Sequence, residues 1–355
     1  MTIDTDMQSS NLHILVALSG GVDSSTAALL LKDSGYRVEG AIMVFEGVPQ
    51  EKIRAAARVA EQLQINFHLV DVQREFRDLI ISDFIAEYRR GRTPNPCVLC
   101  NKLMKFGLLF KMVSEVGTDR IATGHYAKLD KQKGRYLLKR GCDENEQSYF
   151  LYRLDQNQLS RTILPLGQYT KDEVREIARK HKLPTATQKK SQDVCFIRDG
   201  EYASFLKKSI PESPGPIFNT EGKAVGQHNG IIHYTIGQRH GIGISHKHPY
   251  YVTRIDAAQN AIYIGEKRDA YKKEFIVTDL NFIPFDTLKQ SMQISTKVRY
   301  FSPASEARIE PIGQDKIKVI FTKPQWAIAP GQSAVFYQKD LVIGGGLIDE
   351  VFDYA

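Results

Sequence analysis

At 355 residues, 42% hydrophobic and 25% charged, the chain is long enough for two or three domains, each with its own core. No apolar run approaches ~18 residues, and the start "MTIDTDMQSSNLHILVALSGG" lacks an export signal's basic-then-apolar order, so no membrane span and a cytoplasmic location are expected. A net charge of +7 permits a polyanionic partner. Residues 12 to about 200 alternate strand-like and helix-like segments. "LHILVAL" (12–18) reads as a strand, and "SSTAALLLKDSG" (24–35) as a helix with glycine where its C-terminal cap belongs. "RVEGAIMVF" (37–45) is the next strand, "KIRAAARVAEQLQ" (52–64) a helix and "NFHLVDV" (66–72) a further strand. "NKLMKFGLLFKMVSEVG" (101–117) sets Leu103, Phe106, Phe110 and Val113 on one helical stripe, and "DRIATGH" (119–125) is a strand with a polar tip. This alternation predicts an α/β fold with a parallel sheet, whose ligands bind at the carboxyl ends of the strands.

Near residue 200 the texture changes to Gly, Pro and short apolar runs, which predicts a small β-containing connector over 206–275. From 276 the chain reads as strands and turns. "KIKVIF" (316–321) has the period of a half-buried strand, and "SAVFYQKDLVIGGGLI" reads as a hairpin turning at Gln338-Lys339-Asp340. The expected division is 1–205, 206–275 and 276–355, the last a small antiparallel barrel.

The segment "LHILVALSGGVDSSTAALLL" runs a strand through Ser19-Gly20-Gly21-Val22-Asp23-Ser24 straight into a helix. Glycines let backbone amides approach phosphate oxygens, and the helix start adds unpaired N–H groups and a positive dipole end. No Gly-Lys-Ser/Thr follows, which argues against the usual triphosphate hydrolase loop. A tight structural turn needing glycines is the bland reading of a bare Gly-Gly, but the flanking serines and aspartate weigh against it.

Cys97 and Cys100 lie in "TPNPCVLCNK", Cys142 in an acidic loop, and Cys195 in "KKSQDVCFIRDG". A reducing compartment disfavours structural disulfides, and a zinc ribbon would need a second Cys-x-x-Cys pair. Cys100 is expected at the start of the helix from Asn101, where the dipole and nearby lysines favour thiolate. Two basic runs end near these cysteines. One carries Arg89, Arg90, Arg92, Lys102 and Lys105; the other carries Arg179, Lys180, Lys182, Lys189 and Lys190. Solvated faces are the bland reading of either run alone.

The loop Ser19–Ser24 resembles that of the ATP pyrophosphatase (PP-loop) superfamily, whose members transfer AMP to a substrate oxygen. Over nearly its full length the chain is similar to the bacterial tRNA-specific 2-thiouridylases, through "ALSGGVDSS", "GRTPNPCVLCNKLMKFG", "IATGHYAKL", "EQSYFLYRL", "SQDVCFI", "YTIGQRHGIGI", "KVRYF" and "APGQSAVFY" in order. The resemblance implies 2-thiolation of the wobble uridine of tRNA, using ATP and Mg2+, with sulfur from a cysteine desulfurase or sulfur-relay protein. It places ATP on Ala17, Leu18, Ser19, Gly20, Gly21, Val22, Asp23, Ser24, Met43 and Gly124. The persulfide falls on Cys195 and its nucleophilic partner is Cys100, the two closing a transient disulfide. Asn95, Pro96 and Cys97 would face the target base, and His125, Asn145, Glu146, Gln147, Arg299, Tyr300 and Gln332 the tRNA.

Two departures from the family pattern stand out. Cys97 occupies a position where an aspartate is usual, and a thiol near ~8.5 cannot act as a carboxylate near ~3.9 does. The segment "VFEGVPQEKIRAAA" is also shorter than usual. The first departure leaves a second chemistry open: related tRNA thiolases bind a [4Fe-4S] cluster through three thiolates, and Cys97, Cys100 and Cys195 would supply that trio. Two rivals differ in kind. An amidotransferase-type synthetase would survive cysteine alkylation, and a non-catalytic RNA-binding protein would release no pyrophosphate.

Overall fold

The computed structural model describes residues 12–188, 194–197 and 202–352. The chain forms two compact units, residues 1–77 with 98–198 and residues 78–97 with 199–355. No helix among the described residues is long and apolar enough to cross a membrane.

The first unit is built on a five-stranded parallel sheet of β1 (His13–Ala17), β2 (Arg37–Val44), β3 (Asn66–Asp71), β4 (Arg120–Ala122) and β7 (Thr162–Ile163). A hairpin of β5 (Ala127–Gln132) and β6 (Arg135–Arg140) intervenes in sequence. The spatial order β3-β2-β1-β4-β7 reverses direction between β1 and β4. A crevice opens at the carboxyl ends of the strands at such a reversal. The expected α/β class is borne out, and so is each predicted strand through residue 122.

Helix α1 (Val22–Asp33) has buried residues almost all round, from Val22 and Ser24 to Leu29 and Leu31. Its small polar side chains therefore turn back on the helix: Ser25 Oγ donates to the Gly21 carbonyl (2.9 Å) and Thr26 Oγ1 to that of Val22 (2.9 Å). Helix α2 (Gln50–Gln62) follows β2 and buries Ala55, Ala56, Val59 and Ala60. Ile14, Val16, Leu29, Ile42 and Val59 share one core between sheet and helices.

The helix predicted from Asn101 differs in two ways. It begins five residues earlier, as Pro96–Cys100, because proline is pre-organised for a first helical position and biases the residue before it to an extended backbone. From Asn101 to Leu108 it is π-helical, then α-helical over Leu109–Glu115. The wider turns open the carbonyl ladder, and the Gln158 amide fills it, donating to the Lys102 (2.8 Å) and Phe106 (2.9 Å) carbonyls. The apolar face rotates accordingly. Met104, Phe106 and Leu109 are buried, whereas Leu103 and Phe110 are half-buried.

In the second unit, β8 (Gly215–Phe218), β9 (Ala224–His228), β10 (Tyr251–Asp256) and β11 (Ala261–Gly265) make a four-stranded sheet over Ile217, Val252, Ile262 and Ile264. Six longer strands follow: β12 (Tyr271–Phe282), β13 (Met292–Lys297), β14 (Ser305–Ile312), β15 (Lys316–Trp326), β16 (Ser333–Gln338) and β17 (Leu341–Val351). Their order β12-β15-β14-β13-β16-β17 closes through β12–β17 pairing into the expected antiparallel barrel. The "KIKVIF" alternation holds, with Ile317, Val319 and Phe321 in the barrel core. The hairpin turns where expected, Gln338 facing Leu341 across Lys339 and Asp340.

Candidate active site

Four residues, Leu18 to Gly21, make the whole connection from β1 to α1. The Leu18 N–H donates to the Ala41 carbonyl (2.8 Å), which pins the loop to the end of β2. Gly20 has φ +71°, and its α-carbon lies so close to the Lys52 backbone carbonyl that a β-carbon has no room. The Ser24 hydroxyl accepts from the Ser19 N–H (3.0 Å) and donates to the Gly21 carbonyl (3.2 Å). Gly21 gives α1 no side-chain cap. The first N–H groups of the helix thus keep their capacity for an anion. Within the loop Ser19 is exposed and Gly21 and Asp23 half-buried, while Leu18, Val22 and Ser24 support it from beneath. Met43 lies half-buried near the end of β2. Gly124, just past β4, is a close-approach position: a β-carbon there would stand 2.7 Å from the Asp23 carbonyl carbon and the Ser24 nitrogen.

Asp23 is held from two directions that the sequence did not reveal. The Tyr126 hydroxyl donates to its carboxylate (2.8 Å), and the Lys171 ammonium sits 2.5 Å from it. Burial and the adjacent Asp23 carboxylate push the Tyr126 phenol well up, so it stays protonated and donates. Lys171 opens a helix, Lys171–Lys180, whose N-terminus is fixed by a Thr170/Glu173 capping box. That box is visible in sequence, but its pairing with Asp23 is tertiary. Asn145, Glu146 and Gln147 line the loop behind Tyr126. The backbone N–H and side-chain amide of Asn145 both donate to Asp143 (2.7 and 3.1 Å), and Glu146 accepts from the Ser148 N–H (2.8 Å). Gln147 accepts from the Tyr126 N–H (3.2 Å) and so braces Tyr126.

His125 is buried, with Nδ1 2.8 Å from the Thr123 hydroxyl. Burial, aided by the nearby Lys105 ammonium, lowers its pKa well below the usual imidazole value and keeps the ring neutral. All four cysteines are thiols. Cys100 is half-buried five residues before Lys105, and with the helix starting at Pro96 the dipole benefit expected for it falls on Cys97, which is exposed.

Cys195 has an exposed face, yet protein atoms crowd it enough to push the thiol pKa up, with Lys105 and Lys52 pulling the other way. Lys189 and Lys190, expected to serve Cys195, lie outside the described residues. Phe196 anchors the thiol from the other side, its ring 5.7 Å from that of Phe76 and its α-carbon 3.4 Å from where a side chain on Gly47 would begin. The short β2–α2 loop thus seats Cys195 beside the residue, Lys52, whose carbonyl abuts Gly20. Because the thiol is raised, alkylation of Cys195 speeds up as pH climbs through the alkaline range. Removing a cation raises it further, so Lys105→Met is expected to slow iodoacetamide labelling of the Cys195 peptide by about 2- to 5-fold. Mass spectrometry across a pH series checks this, and a faster rate would contradict it.

In the second unit, Asn95 is half-buried, Pro96 buried and Cys97 exposed. Gln332 directs its amide at the Thr93 (2.8 Å) and Pro94 (3.3 Å) carbonyls. Arg299 donates to the Ile236 carbonyl (2.9 Å), and the Tyr300 ring meets Phe301 edge-on at 4.7 Å. Phe301, which sequence reasoning passed over, is 83% exposed. Among the described residues no three His, Cys, Asp or Glu side chains form a metal-holding group.

Three family models cover the chain: a tRNA methyl transferase HUP domain over 12–199, a tRNA methyl transferase PRC-barrel domain over 203–266, and an aminomethyltransferase β-barrel domain over 272–348. The chain is 44% identical over 347 residues to the tRNA-specific 2-thiouridylase MnmA 1 of Clostridium botulinum (strain Okra / Type B1), covering 95% of this chain and 98% of that one. It is 44% identical over 357 residues to MnmA 2 of Thermoanaerobacter sp. (strain X514), covering 96% and 98%. A phosphate-type loop and this full-length similarity agree: the chain belongs to the tRNA-specific 2-thiouridylase family.

Proposed function

We propose that this protein converts the wobble uridine of tRNA to 2-thiouridine by ATP-dependent adenylation followed by sulfur transfer. One observation carries the reading: the segment Gly47–Lys52 packs at one end on Phe196, the residue after Cys195, and at the other, through the Lys52 backbone, on Gly20 of the phosphate loop. Nucleotide activation and sulfur delivery are thereby drawn to one neighbourhood.

In the first half-reaction the uridine C2 oxygen attacks the α-phosphorus of ATP, and pyrophosphate leaves. Ser19, Gly21 and the uncapped start of α1 receive phosphate oxygens, while Asp23, braced by Tyr126 and Lys171, fixes the first turn. Gly124 and Met43 flank the nucleoside. Magnesium, when bound, offsets phosphate charge, and the hydroxyl and carboxylate oxygens of Ser19 and Asp23 suit that ion. In the second half-reaction the terminal sulfur of a Cys195 persulfide attacks C2, and AMP departs. The Cys100 thiolate then attacks Cys195 Sγ, freeing the thiolated base and leaving a Cys100–Cys195 disulfide for a thiol reductant to reset. A cysteine desulfurase or sulfur-relay protein supplies the persulfide. No step is routed through a [4Fe-4S] cluster on Cys97, Cys100 and Cys195.

Residues 1–205 carry adenylation and thiolation, 206–275 connect, and 276–355 contact tRNA. Single-stranded anticodon nucleotides can be splayed out for the reaction at small cost. Asn95 and Cys97 face that base; Asn145, Gln147, Arg299 and Tyr300 border the RNA, while the buried His125 and Glu146 act from beneath the surface. The exposed Phe301, beside Tyr300 and with Lys297 5.4 Å from the Tyr300 ring, suits stacking on an unpaired base. Phe301→Ala is expected to weaken tRNA binding about 5- to 100-fold at fixed salt in a filter assay. Unchanged affinity would remove that contact. The function itself is tested by nucleoside mass spectrometry after incubation with tRNA, ATP, Mg2+ and a sulfur donor. 2-Thiouridine should appear with equimolar AMP and pyrophosphate, and ADP with phosphate would overturn the reading.

A further inference from the structure

We propose that Gln332 and Arg92 are positioning residues that clamp the segment leading into Asn95–Cys97 onto the end of the barrel. The inference rests on the thiolation reading and gives Gln332 a role other than the tRNA contact expected for it. The Gln332 amide donates to two successive carbonyls, Thr93 (2.8 Å) and Pro94 (3.3 Å), and the Thr93 N–H donates to the Pro330 carbonyl (2.8 Å). Arg92 is forked three ways, to Glu87 (2.7 Å), to Asp349 (2.9 Å) and to the Ile348 carbonyl (3.1 Å). Gly331 makes the approach possible. It has φ +89°, and a β-carbon there would stand 3.0 Å from Arg92 Cβ and the Thr93 nitrogen. The anchor itself is rigid, since the Gly331 N–H donates to the Ile348 carbonyl (2.8 Å) and the Ile348 N–H to that of Gln332 (2.9 Å).

The segment needs such a clamp. Pro94 and Pro96 supply no N–H, so Thr93–Pro96 cannot build a hydrogen-bonded ladder of its own. The Thr93 and Pro94 carbonyls and the Thr93 amide are instead satisfied by residues some 240 positions away in sequence, 239 for the Gln332–Thr93 pair. A primary amide donating to two carbonyls is a demanding fit. Alanine removes it, and a glutamate would turn a carboxylate against the same oxygens. Because the clamp reaches Pro94, the residue directly before Asn95, it sets how Asn95 and Cys97 are presented.

A positioning role predicts loss in the chemical step rather than in binding. In the full-length enzyme, Gln332→Ala and Gln332→Glu are expected to lower kcat for tRNA thiolation about 10- to 100-fold, with tRNA affinity within about twofold of wild type. Hydrogen exchange at the Thr93 amide should speed up by about tenfold or more in the same variants while exchange in the barrel core stays unchanged. Arg92→Lys, which keeps the charge but loses the fork, should show the same kcat-specific loss and serves if a Gln332 variant fails to fold. Weakened tRNA affinity at unchanged kcat would make Gln332 a direct RNA contact and overturn the proposal, as would unchanged kcat with unchanged Thr93 exchange. If the wild type thiolated no tRNA the thiolation reading would fail, and Thr93 exchange would still report on the clamp.

Discussion

Cys195→Ser is expected to lower 2-thiouridine formation by at least about 10³-fold, while ATP- and tRNA-dependent pyrophosphate release should survive. Serine matches the thiol in size, and Cys195 has an exposed face, so the Phe196 anchor against Phe76 and Gly47 is undisturbed. What disappears is the atom that can bear a second sulfur. In the proposed mechanism the adenylation half-reaction depends on Ser19, Gly21, Asp23 and the start of α1, none of which the substitution alters. Cys100→Ser should divide differently, allowing one sulfur attack but no release, so that tRNA stays covalently attached through Cys195. Full thiolation by Cys195→Ser would remove the persulfide assignment altogether.

Gly20→Ala should lower kcat/KM for ATP about 100-fold, with tRNA binding little changed. Two effects combine. A side chain at φ +71° costs about 1–2 kcal/mol in local strain, and the new β-carbon meets the Lys52 carbonyl, a backbone atom that cannot swing aside. The loop or the first turns of α2 must then move, and a displacement of ~1 Å in a positioning element is enough for a loss of that size. Gly134→Ala separates the two effects. Gly134 also has positive φ, +81°, but nothing lies within 4 Å of a β-carbon there, so that variant carries strain without collision and should use ATP normally. Equal loss in both variants, or none in Gly20→Ala, would contradict the role given to the loop.

Local chemistry was legible in the sequence where a short run of residues decides the outcome. The strand-loop-helix around Ser19–Ser24, the alternation of Lys316 to Phe321 and the Lys339-Asp340 turn each follow from propensity and periodicity within a few positions. The helix around Cys100 was legible as a helix but not in its phase, because the π-helical run depends on Gln158 inserting from more than fifty residues away. The partners of Asp23 were likewise hidden. Tyr126 lies within "IATGHYAKL" and Lys171 beside the Thr170/Glu173 capping box, yet nothing in sequence spacing joins either to Asp23. Lys52 and Lys105 reach Cys195 only through the fold, whereas the adjacent Lys189 and Lys190 were the ones that sequence suggested. The Gln332 clamp is the extreme case, since it satisfies a proline-rich segment that has no local means of satisfying itself.

Protein purified without oxygen, stripped of iron and loaded with one persulfide at Cys195 allows the most direct measurement, a single turnover with tRNA, ATP and no other sulfur source. The account predicts one 2-thiouridine per persulfide, formed only when ATP is present and matched by AMP and pyrophosphate. Thiolation that proceeds without ATP, or that appears only after iron and sulfide are restored, would contradict it.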